Sequence, residues 1–394
     1  MARVTIDWEK NENVEWQDYK PKKSTKEKRR LLITTDNFLP RWDGISRFLA
    51  EIIPRLKEEY DITIIAPNNG PIEIEGVEVI QVPLSNYTHG DYTAAKFAYK
   101  EIKHFVRHTD IIFNQSLAPI GACAVIAAKR LNRPIVNFIH NVDWELVPKA
   151  LSQPIFRGPL IALTKLIVKF LYNRCTLLIL PSENIAEHFT WQGVRTPKRI
   201  AHLGVDVKKF SPRKQDRKAL GIPENAFVMG YHGRISHEKN LFTLLRAFKR
   251  VEIKNKRLLI VGDGVEKIKE RLGSVPGVIV TGATDNVVPY LRVMDLYVQP
   301  SLTETTSLAV LEAMACGLPV VSSKVGFIKY YIIENENGLF FENTSAYDLM
   351  VKLQRLYDRP EKRAALGKAA RATILESFRW SSTAQAIKDA LDSV

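Results

Sequence analysis

The chain has 394 residues, of which 45% are hydrophobic and 25% are charged. This length exceeds one ordinary core and predicts two globular domains of roughly 150 to 200 residues, and no run of about 18 to 20 uncharged apolar residues is present to form a transmembrane helix. The formal charge of +14 indicates a basic surface that attracts phosphates, nucleic acid or an anionic membrane.

The N-terminal residues 1–29 are predicted to be a basic, flexible leader, because Lys20 to Arg30 is almost wholly polar and cationic. Acidic and polar side chains interrupt any apolar core of a signal peptide, so we expect a cytoplasmic protein. Its cysteines, Cys123, Cys175 and Cys316, are odd in number and far apart. They therefore form neither a disulfide framework nor a metal-binding pair.

The first half alternates strands and helices. A short apolar strand, Leu31 to Thr35, runs into a polar loop, Asp36 to Gly44, and then into a helix for which Ser46 is the predicted cap. Further strands are predicted at Ile62–Ala66, Val77–Val82, Ile111–Phe113, Ile135–Ile139 and Leu177–Leu180. Such alternation predicts a parallel sheet covered by helices on both faces.

The same pattern restarts after a turn-rich connector, Leu203 to Pro212. Strands are predicted at Val228–Tyr231, Arg257–Val261, Val278–Thr281, Leu296–Gln299 and Val320–Ser322. We therefore predict an α/β protein with two doubly wound parallel-sheet domains, 30–205 and 206–376. A C-terminal helix, 377–394, is expected to pack back towards the first domain.

Two glutamates, Glu304 and Glu312, enclose the start of an apolar helix in the second domain. The loop before it follows a strand, and the first backbone N–H groups of a helix are free to bind an anion such as a diphosphate. A carboxylate on each side suits hydroxyl groups, which are what sugars offer. Because Glu312 lies between Leu311 and Ala313, we expect it to be buried with a partner.

A second cluster follows the first strand of this domain. Gly233 permits close approach of the backbone to a ligand, and Arg234 and Lys239 flank the turn before the next helix. Two cations at such a turn suit an anionic leaving group. The alternation of strands and helices predicts that this loop and the loop from Thr303 to Ser307 both open at the carboxyl edge of one sheet.

In the first domain, the loop that contains Gly44 could bring its backbone to a phosphate, although this signal alone is weak. His140, after the strand Ile135–Ile139, is placed to reach the cleft expected between the domains.

Several other chemistries are disfavoured. The Gly-x-Gly turn at Gly262 to Gly264 lacks the third glycine of a dinucleotide fingerprint, and no Walker-type loop occurs. His104 and His108 have the spacing of a metal pair but no third ligand nearby. No Asp-x-Asp motif occurs, so no metal and no cofactor is predicted.

These residues resemble glycosyltransferase family 4. The resemblance extends from Leu31 to Trp380 and rests on five motifs: Glu304 and Glu312 with the following Ala-Met-Ala-Cys-Gly-Leu-Pro-Val-Val, Gly233-Arg234 with Lys239-Asn240, Gly204-Val-Asp206 with Phe210, Val261-Gly-Asp-Gly264, and Glu334-Asn-Glu-Asn-Gly-Leu339. It implies the GT-B fold, in which two Rossmann-like domains face each other across a cleft, and transfer of a sugar from a nucleotide sugar with retention of anomeric configuration.

The resemblance also implies a role for each residue. Glu312 would bind the ribose and Glu304 the donor hexose, while backbone N–H groups of Thr306, Ser307 and Leu308 would bind sugar and diphosphate. Arg234 and Lys239 would neutralise the leaving diphosphate, Gly44 would approach it, and His140 would contact the donor sugar. The nucleotide sugar would be a co-substrate used without a metal.

The chain departs from the family pattern at three places. Relatives often have two glycines at Asp43-Gly44, a Gly-Phe-Gly type sequence at Thr305-Thr306-Ser307, and a paired glycine at Val325-Gly-Phe327. These departures leave the donor base and sugar open, with uracil and guanine both candidates.

The acceptor is expected to be a membrane lipid or a lipid-linked saccharide. Leu151 to Arg174 combines apolar and basic residues as a membrane-surface helix does, although a basic stripe on an ordinary domain helix has the same pattern. The expected partners are thus a nucleotide-sugar donor, a lipid or saccharide acceptor and the inner, anionic membrane surface, without nucleic acid. Two alternatives stay open: a GT-B-type sugar-nucleotide epimerase or phosphorylase, and a non-catalytic nucleotide-sugar-binding protein.

Overall fold

The computed structural model of the protein describes residues 28–41, 43–89, 92–144, 157–213, 215–304 and 306–394. The chain divides into two compact units, residues 1–202 with 383–394 and residues 203–382. The predicted leader, 1–29, lies outside the described residues up to position 27, and Arg29 already belongs to the first strand. Within the described ranges, no helix is both long and apolar enough to cross a membrane.

The first unit is built on a parallel sheet of seven strands in the order β3-β2-β1-β6-β7-β8-β9, with a separate antiparallel hairpin, β4-β5. The strands are Arg29–Thr34 (β1), Tyr60–Pro67 (β2), Glu78–Val82 (β3), Leu84–His89 (β4), Tyr92–Ala95 (β5), Ile111–Asn114 (β6), Ile135–Phe138 (β7), Leu177–Leu180 (β8) and Lys198–Ile200 (β9). Its helices are Gly44–Leu56 (α1), Tyr99–Arg107 (α2), Pro119–Leu131 (α3), Arg157–Tyr172 (α4) and Glu183–Trp191 (α5).

The second unit contains a parallel sheet of six strands in the order β12-β11-β10-β13-β14-β15. The strands are Phe227–His232 (β10), Lys256–Val261 (β11), Val278–Val280 (β12), Leu296–Gln299 (β13), Val320–Ser323 (β14) and Leu339–Phe341 (β15). The helices are Leu241–Arg250 (α6), Glu266–Gly273 (α7), Val288–Val293 (α8), Leu308–Ala315 (α9), Ile328–Tyr331 (α10), Ala346–Asp358 (α11) and Pro360–Ser377 (α12).

A last helix, Trp380–Asp392 (α13), runs from the second unit into the first. Its end is fixed to the first sheet, because the Tyr60 hydroxyl donates a hydrogen bond to Asp392 and the Arg29 guanidinium donates to the Val394 carbonyl at 3.0 Å. Contacts therefore divide the chain at 203 and 383, whereas the sequence predicted boundaries at 206 and 377.

The sheets carry the predicted hydrophobic strands at their centres. All residues of β10, β13 and β14 are buried, as expected for parallel strands covered on both faces. The sequence did not predict the β4-β5 hairpin or the edge strands β9 and β15. The two edge strands have three residues each, which is too short for a recognisable pattern.

Strand order has one consequence for function. In the second sheet β10 is paired on one side with β11 and on the other with β13, so the order reverses at β10. In the first sheet it reverses in the same way at β1, between β2 and β6. Open parallel sheets bind ligands outside the carboxyl ends of the strands at such a reversal.

Candidate active site

The predicted donor residues of the second unit lie at this reversal. Gly230 of β10 is opposite Tyr297 of β13, so the loops that follow these two strands leave the same edge side by side. One loop carries Gly233, Arg234 and Lys239 and the other carries Glu304. The two loops open at the same edge of one sheet, as the alternation of strands and helices predicted. The pairing of β10 with β13, which the sequence did not predict, brings together two motifs that are 65 positions apart.

Glu304 and Lys239 form a close ion pair. The Lys239 ammonium is 2.6 Å from Glu304 Oε1, and the Glu304 side chain is only 8% exposed. The same oxygen accepts hydrogen bonds from the Gln299 amide at 2.7 Å and from the Ser301 hydroxyl at 2.7 Å. Three donors at one oxygen hold the carboxylate in a fixed orientation and compensate its burial.

Glu312 is buried with a partner, as expected. It lies in α9, its side chain is 2% exposed, and its Oε2 is 2.8 Å from Nε2 of His232, the last residue of β10. Because a carboxylate only accepts hydrogen bonds, Nε2 carries the proton of this bond. Sequence reasoning missed His232, although its place at a strand end directly before Gly233 was an available signal.

Arg234 is the most accessible of the predicted residues. Its side chain is 55% exposed and its guanidinium contacts Glu238 at 3.1 Å. Gly233 before it has a φ of +137°, a conformation that side chains rarely allow, and a Cβ there would lie 2.9 Å from the Tyr231 hydroxyl. The loop therefore requires glycine at this position, and it carries the exposed Arg234 five residues before the ion-paired Lys239.

The predicted amide site lies at the start of α9. Ser307 is the residue before the helix and has a left-handed conformation with a φ of 56°, and no side chain caps the helix among the residues described. Leu308 is the first helical residue, and the Thr306 carbonyl accepts a hydrogen bond from the Tyr331 hydroxyl at 2.6 Å. Thr305 of the same motif lies outside the described residues.

In the first unit, Gly44 begins α1. Asp43 caps this helix, because its Oδ1 accepts hydrogen bonds from the N–H groups of Ile45 at 3.0 Å and Ser46 at 2.9 Å. The predicted cap, Ser46, is wrong, since Ser46 is buried inside the first turn. Apart from its chain neighbours and its own helix backbone, no atom of the described residues lies within 4 Å of the position that a Cβ of Gly44 would take.

His140 directly follows the strand region of β7 and packs between aromatic rings. Its ring centre is 4.9 Å from that of Phe48 and 4.7 Å from that of Phe138, and Nε2 is 3.0 Å from Gln115 Oε1. Burial lowers the pKa of His140 to about 3. The ring is therefore neutral near pH 7. Its contact with a donor sugar, and the approach of Gly44 to the diphosphate, stay predictions.

One further group in this loop was not predicted. Asp143 accepts a hydrogen bond from the Tyr172 hydroxyl of α4, and burial raises the pKa of Asp143 to about 6. A carboxyl group that titrates this close to neutrality is suited to proton transfer. No spacing rule marks Asp143 in the sequence, because its burial depends on α4.

Comparison with solved structures identifies the fold. The structure resembles that of HepE from Anabaena in complex with UDP, with a TM-score of 0.78 at 20% identity over 93% of this chain and 100% of that one. The two parallel-sheet units of the present chain have the GT-B fold.

Family models identify the chain more closely. A model described as "Glycosyltransferase Family 4" matches residues 42–209, and one described as "Glycosyl transferases group 1" matches residues 212–373. Together they span both units, and the chain belongs to glycosyltransferase family 4.

Two curated relatives extend over most of the chain. A GDP-mannose-dependent alpha-mannosyltransferase of Corynebacterium glutamicum is 28% identical over 79% of this chain and 76% of its own length. An alpha-monoglucosyldiacylglycerol synthase of Streptococcus pneumoniae is 24% identical over 79% of this chain and 75% of its own length. Their names differ in the sugar, so the family is common to them and the substrate is not.

The neutral His140 makes stability depend on pH. Its folded pKa of about 3 lies below the ordinary value of 6.5, so below pH 6.5 the unfolded chain binds a proton that the folded chain does not. Stability is therefore lost as pH falls, by about 2 kcal/mol between pH 7 and pH 5 for one such group. We therefore expect the free energy of unfolding of His140→Gln, measured with urea, to fall between pH 7 and pH 5 by about 2 kcal/mol less than that of the wild type. Exposed His237→Gln is the control; equal pH dependence of both variants contradicts the assignment.

Proposed function

We propose that the protein is a retaining glycosyltransferase that transfers a hexose from a UDP- or GDP-sugar to an acceptor. The observation that carries this proposal is the ion pair of Lys239 with Glu304 at the reversal of the second sheet, with Arg234 on the same loop as Lys239. Glu304 shortly precedes α9, whose start no described side chain caps. Family membership supplies the class of reaction. The Corynebacterium glutamicum relative is named for GDP-mannose and the HepE structure contains UDP, so these similarities support either base.

Each part of the donor has a proposed site. The buried Glu312 binds the ribose hydroxyls, and Glu304 binds hydroxyls of the hexose. Backbone N–H groups of Thr306, Ser307 and Leu308 bind the diphosphate, where the positive end of the helix dipole adds attraction. Arg234 and Lys239 supply the positive charge, so the proposed reaction requires no metal and no cofactor.

Transfer is proposed to occur on one face of the sugar. The acceptor hydroxyl oxygen forms a bond to the anomeric carbon while the bond from that carbon to the donor phosphate oxygen breaks. The departing phosphate oxygen accepts the proton of the acceptor hydroxyl, so no charged intermediate on the protein is needed. Negative charge grows on the diphosphate, and the two cations stabilise it where it grows.

The acceptor is proposed to be a membrane lipid or lipid-linked saccharide, reached from the inner face of an anionic membrane. Four apolar side chains, Leu163, Leu166, Ile167 and Phe170, lie on one face of α4, and each is at least 51% exposed. Arg174 lies over the Phe170 ring at 3.2 Å, so a cation borders this apolar face. The formal charge of +14 supports an anionic surface, and the diacylglycerol in one relative's name supports a lipid. Residues 151–156 of the predicted helix lie outside the described residues.

Donor binding is the first test. Calorimetry against UDP-glucose, UDP-N-acetylglucosamine, GDP-mannose and ADP-glucose is expected to show selective binding that Glu312→Gln weakens by roughly tenfold to a hundredfold, because a hydrogen bond to a charged group contributes about 1.5 to 3 kcal/mol. The exposed Glu336→Gln is the matched control. Absence of binding to all four donors would contradict the proposal.

The cations are tested by turnover. Arg234→Ala is expected to slow transfer by about a hundredfold or more, since losing one group that stabilises charge in the transition state costs about 2.7 to 4 kcal/mol. The melting temperature should not change, because the side chain is 55% exposed. Exposed Arg250→Ala serves as the control. Transfer at the wild-type rate by Arg234→Ala would rule out its role.

Membrane attachment is tested by co-sedimentation. The protein is expected to bind vesicles of mixed phosphatidylglycerol and phosphatidylcholine at low salt, and to be released at high salt. Leu166→Ser combined with Phe170→Ser should weaken binding by about tenfold or more through lost apolar burial. Tyr347→Ser removes an equally exposed side chain from the other unit as a control. A wild-type protein that stays in the supernatant at low salt would contradict the proposal.

A further inference from the structure

A continuous set of polar groups joins the two glutamates through the ends of β10 and β13. Glu312 contacts the His232 ring, and the Tyr297 hydroxyl lies 3.1 Å from the His232 carbonyl oxygen. The same hydroxyl lies 2.9 Å from Gln299 Oε1, and the Gln299 amide nitrogen donates to Glu304 Oε1 at 2.7 Å. We name His232, Tyr297 and Gln299 the polar strut.

The polar strut is enclosed in the sheet. His232 is 4% exposed, Tyr297 0% and Gln299 1%. The Tyr297 ring also packs edge-on against the His232 ring, with 5.4 Å between the ring centres. Polar side chains at the centre of a parallel sheet cost free energy unless each is hydrogen-bonded, and apolar residues would fill these positions at lower cost.

The hydrogen bonds at Glu304 leave its two oxygens in different states. Oε1 accepts from Lys239, Gln299 and Ser301. Oε2 accepts no hydrogen bond from the described residues, and it is not fully buried. The polar strut therefore helps to turn Oε2 outward, where it is available to a ligand hydroxyl.

We propose that His232, Tyr297 and Gln299 are positioning residues, which fix the two carboxylates at the spacing of the ribose and the sugar of one donor. This inference rests on the proposed function of Glu304 and Glu312. His232 acts on the nucleotide half through Glu312, and Gln299 acts on the sugar half through Glu304. Tyr297 links the halves, because its hydroxyl lies within hydrogen-bond reach of both.

Substitutions at the two ends of the polar strut are expected to have different effects on binding and transfer. His232→Leu is expected to weaken binding of the free nucleoside diphosphate and of the intact nucleotide sugar alike, by about tenfold, while His232→Gln keeps a donor for Glu312 and recovers most of the affinity. Gln299→Met keeps the length of the side chain but removes its three hydrogen bonds, to Tyr297, Ser301 and Glu304. It should leave nucleoside diphosphate affinity within about twofold and slow transfer about tenfold or more, as should Tyr297→Phe.

Calorimetry with UDP and GDP, calorimetry with the matching nucleotide sugars, transfer rates and melting temperatures are measured for these variants beside Glu312→Gln and Glu304→Gln. If these residues only support the fold, their substitution lowers both affinities, the transfer rate and the melting temperature together, and His232→Gln does not recover the affinity. That result overturns the inference. Wild-type transfer by both Gln299→Met and Tyr297→Phe also overturns it. If Glu312→Gln and Glu304→Gln bind and react like the wild type, the proposed function itself fails; if only they are impaired, the positioning inference alone fails.

Discussion

The second unit holds two carboxylates almost out of water at one end of its sheet, and the cost of keeping them there determines their surroundings. An isolated buried carboxylate is strongly disfavoured unless donors compensate its charge. Glu304 is compensated by Lys239, Gln299 and Ser301 at one oxygen, and Glu312 by His232. These donors come from two separate segments, 232–239 and 299–301, which meet because β10 lies beside β13.

The features that the sequence predicted are those that depend on a short stretch of chain. Apolar strands alternating with helices predicted two parallel sheets, and the placement of Gly233 and Glu304 after strands predicted their common edge. The burial of Glu312 followed from its apolar neighbours in α9. In each case the necessary information lies within a short window, where periodicity and strand ends are visible.

The contacts of the polar strut, which the sequence did not predict, depend on strand order. His232, Tyr297 and Gln299 lie in strands that are adjacent in space but separated in sequence by β11 and β12. No local pattern shows that β10 pairs with β13. The wrong cap at Ser46 has a different cause: Asp43 and Ser46 are both good capping residues, and only the entry of the chain at Gly44 decides between them.

The charges of the candidate groups differ between the two units. In the first unit His140 is neutral near pH 7, and the Asp43 carboxylate occupies the start of α1, where an anion would otherwise be favoured. In the second unit Lys239 is paired with Glu304 in the loop before α9, Arg234 lies on the same loop as Lys239, and no described side chain caps the start of α9. Where relatives often have two glycines, this chain thus has an anion in place of the first. These charges favour an anion in the second unit over the first, which supports the proposed placement of the donor diphosphate in the second unit.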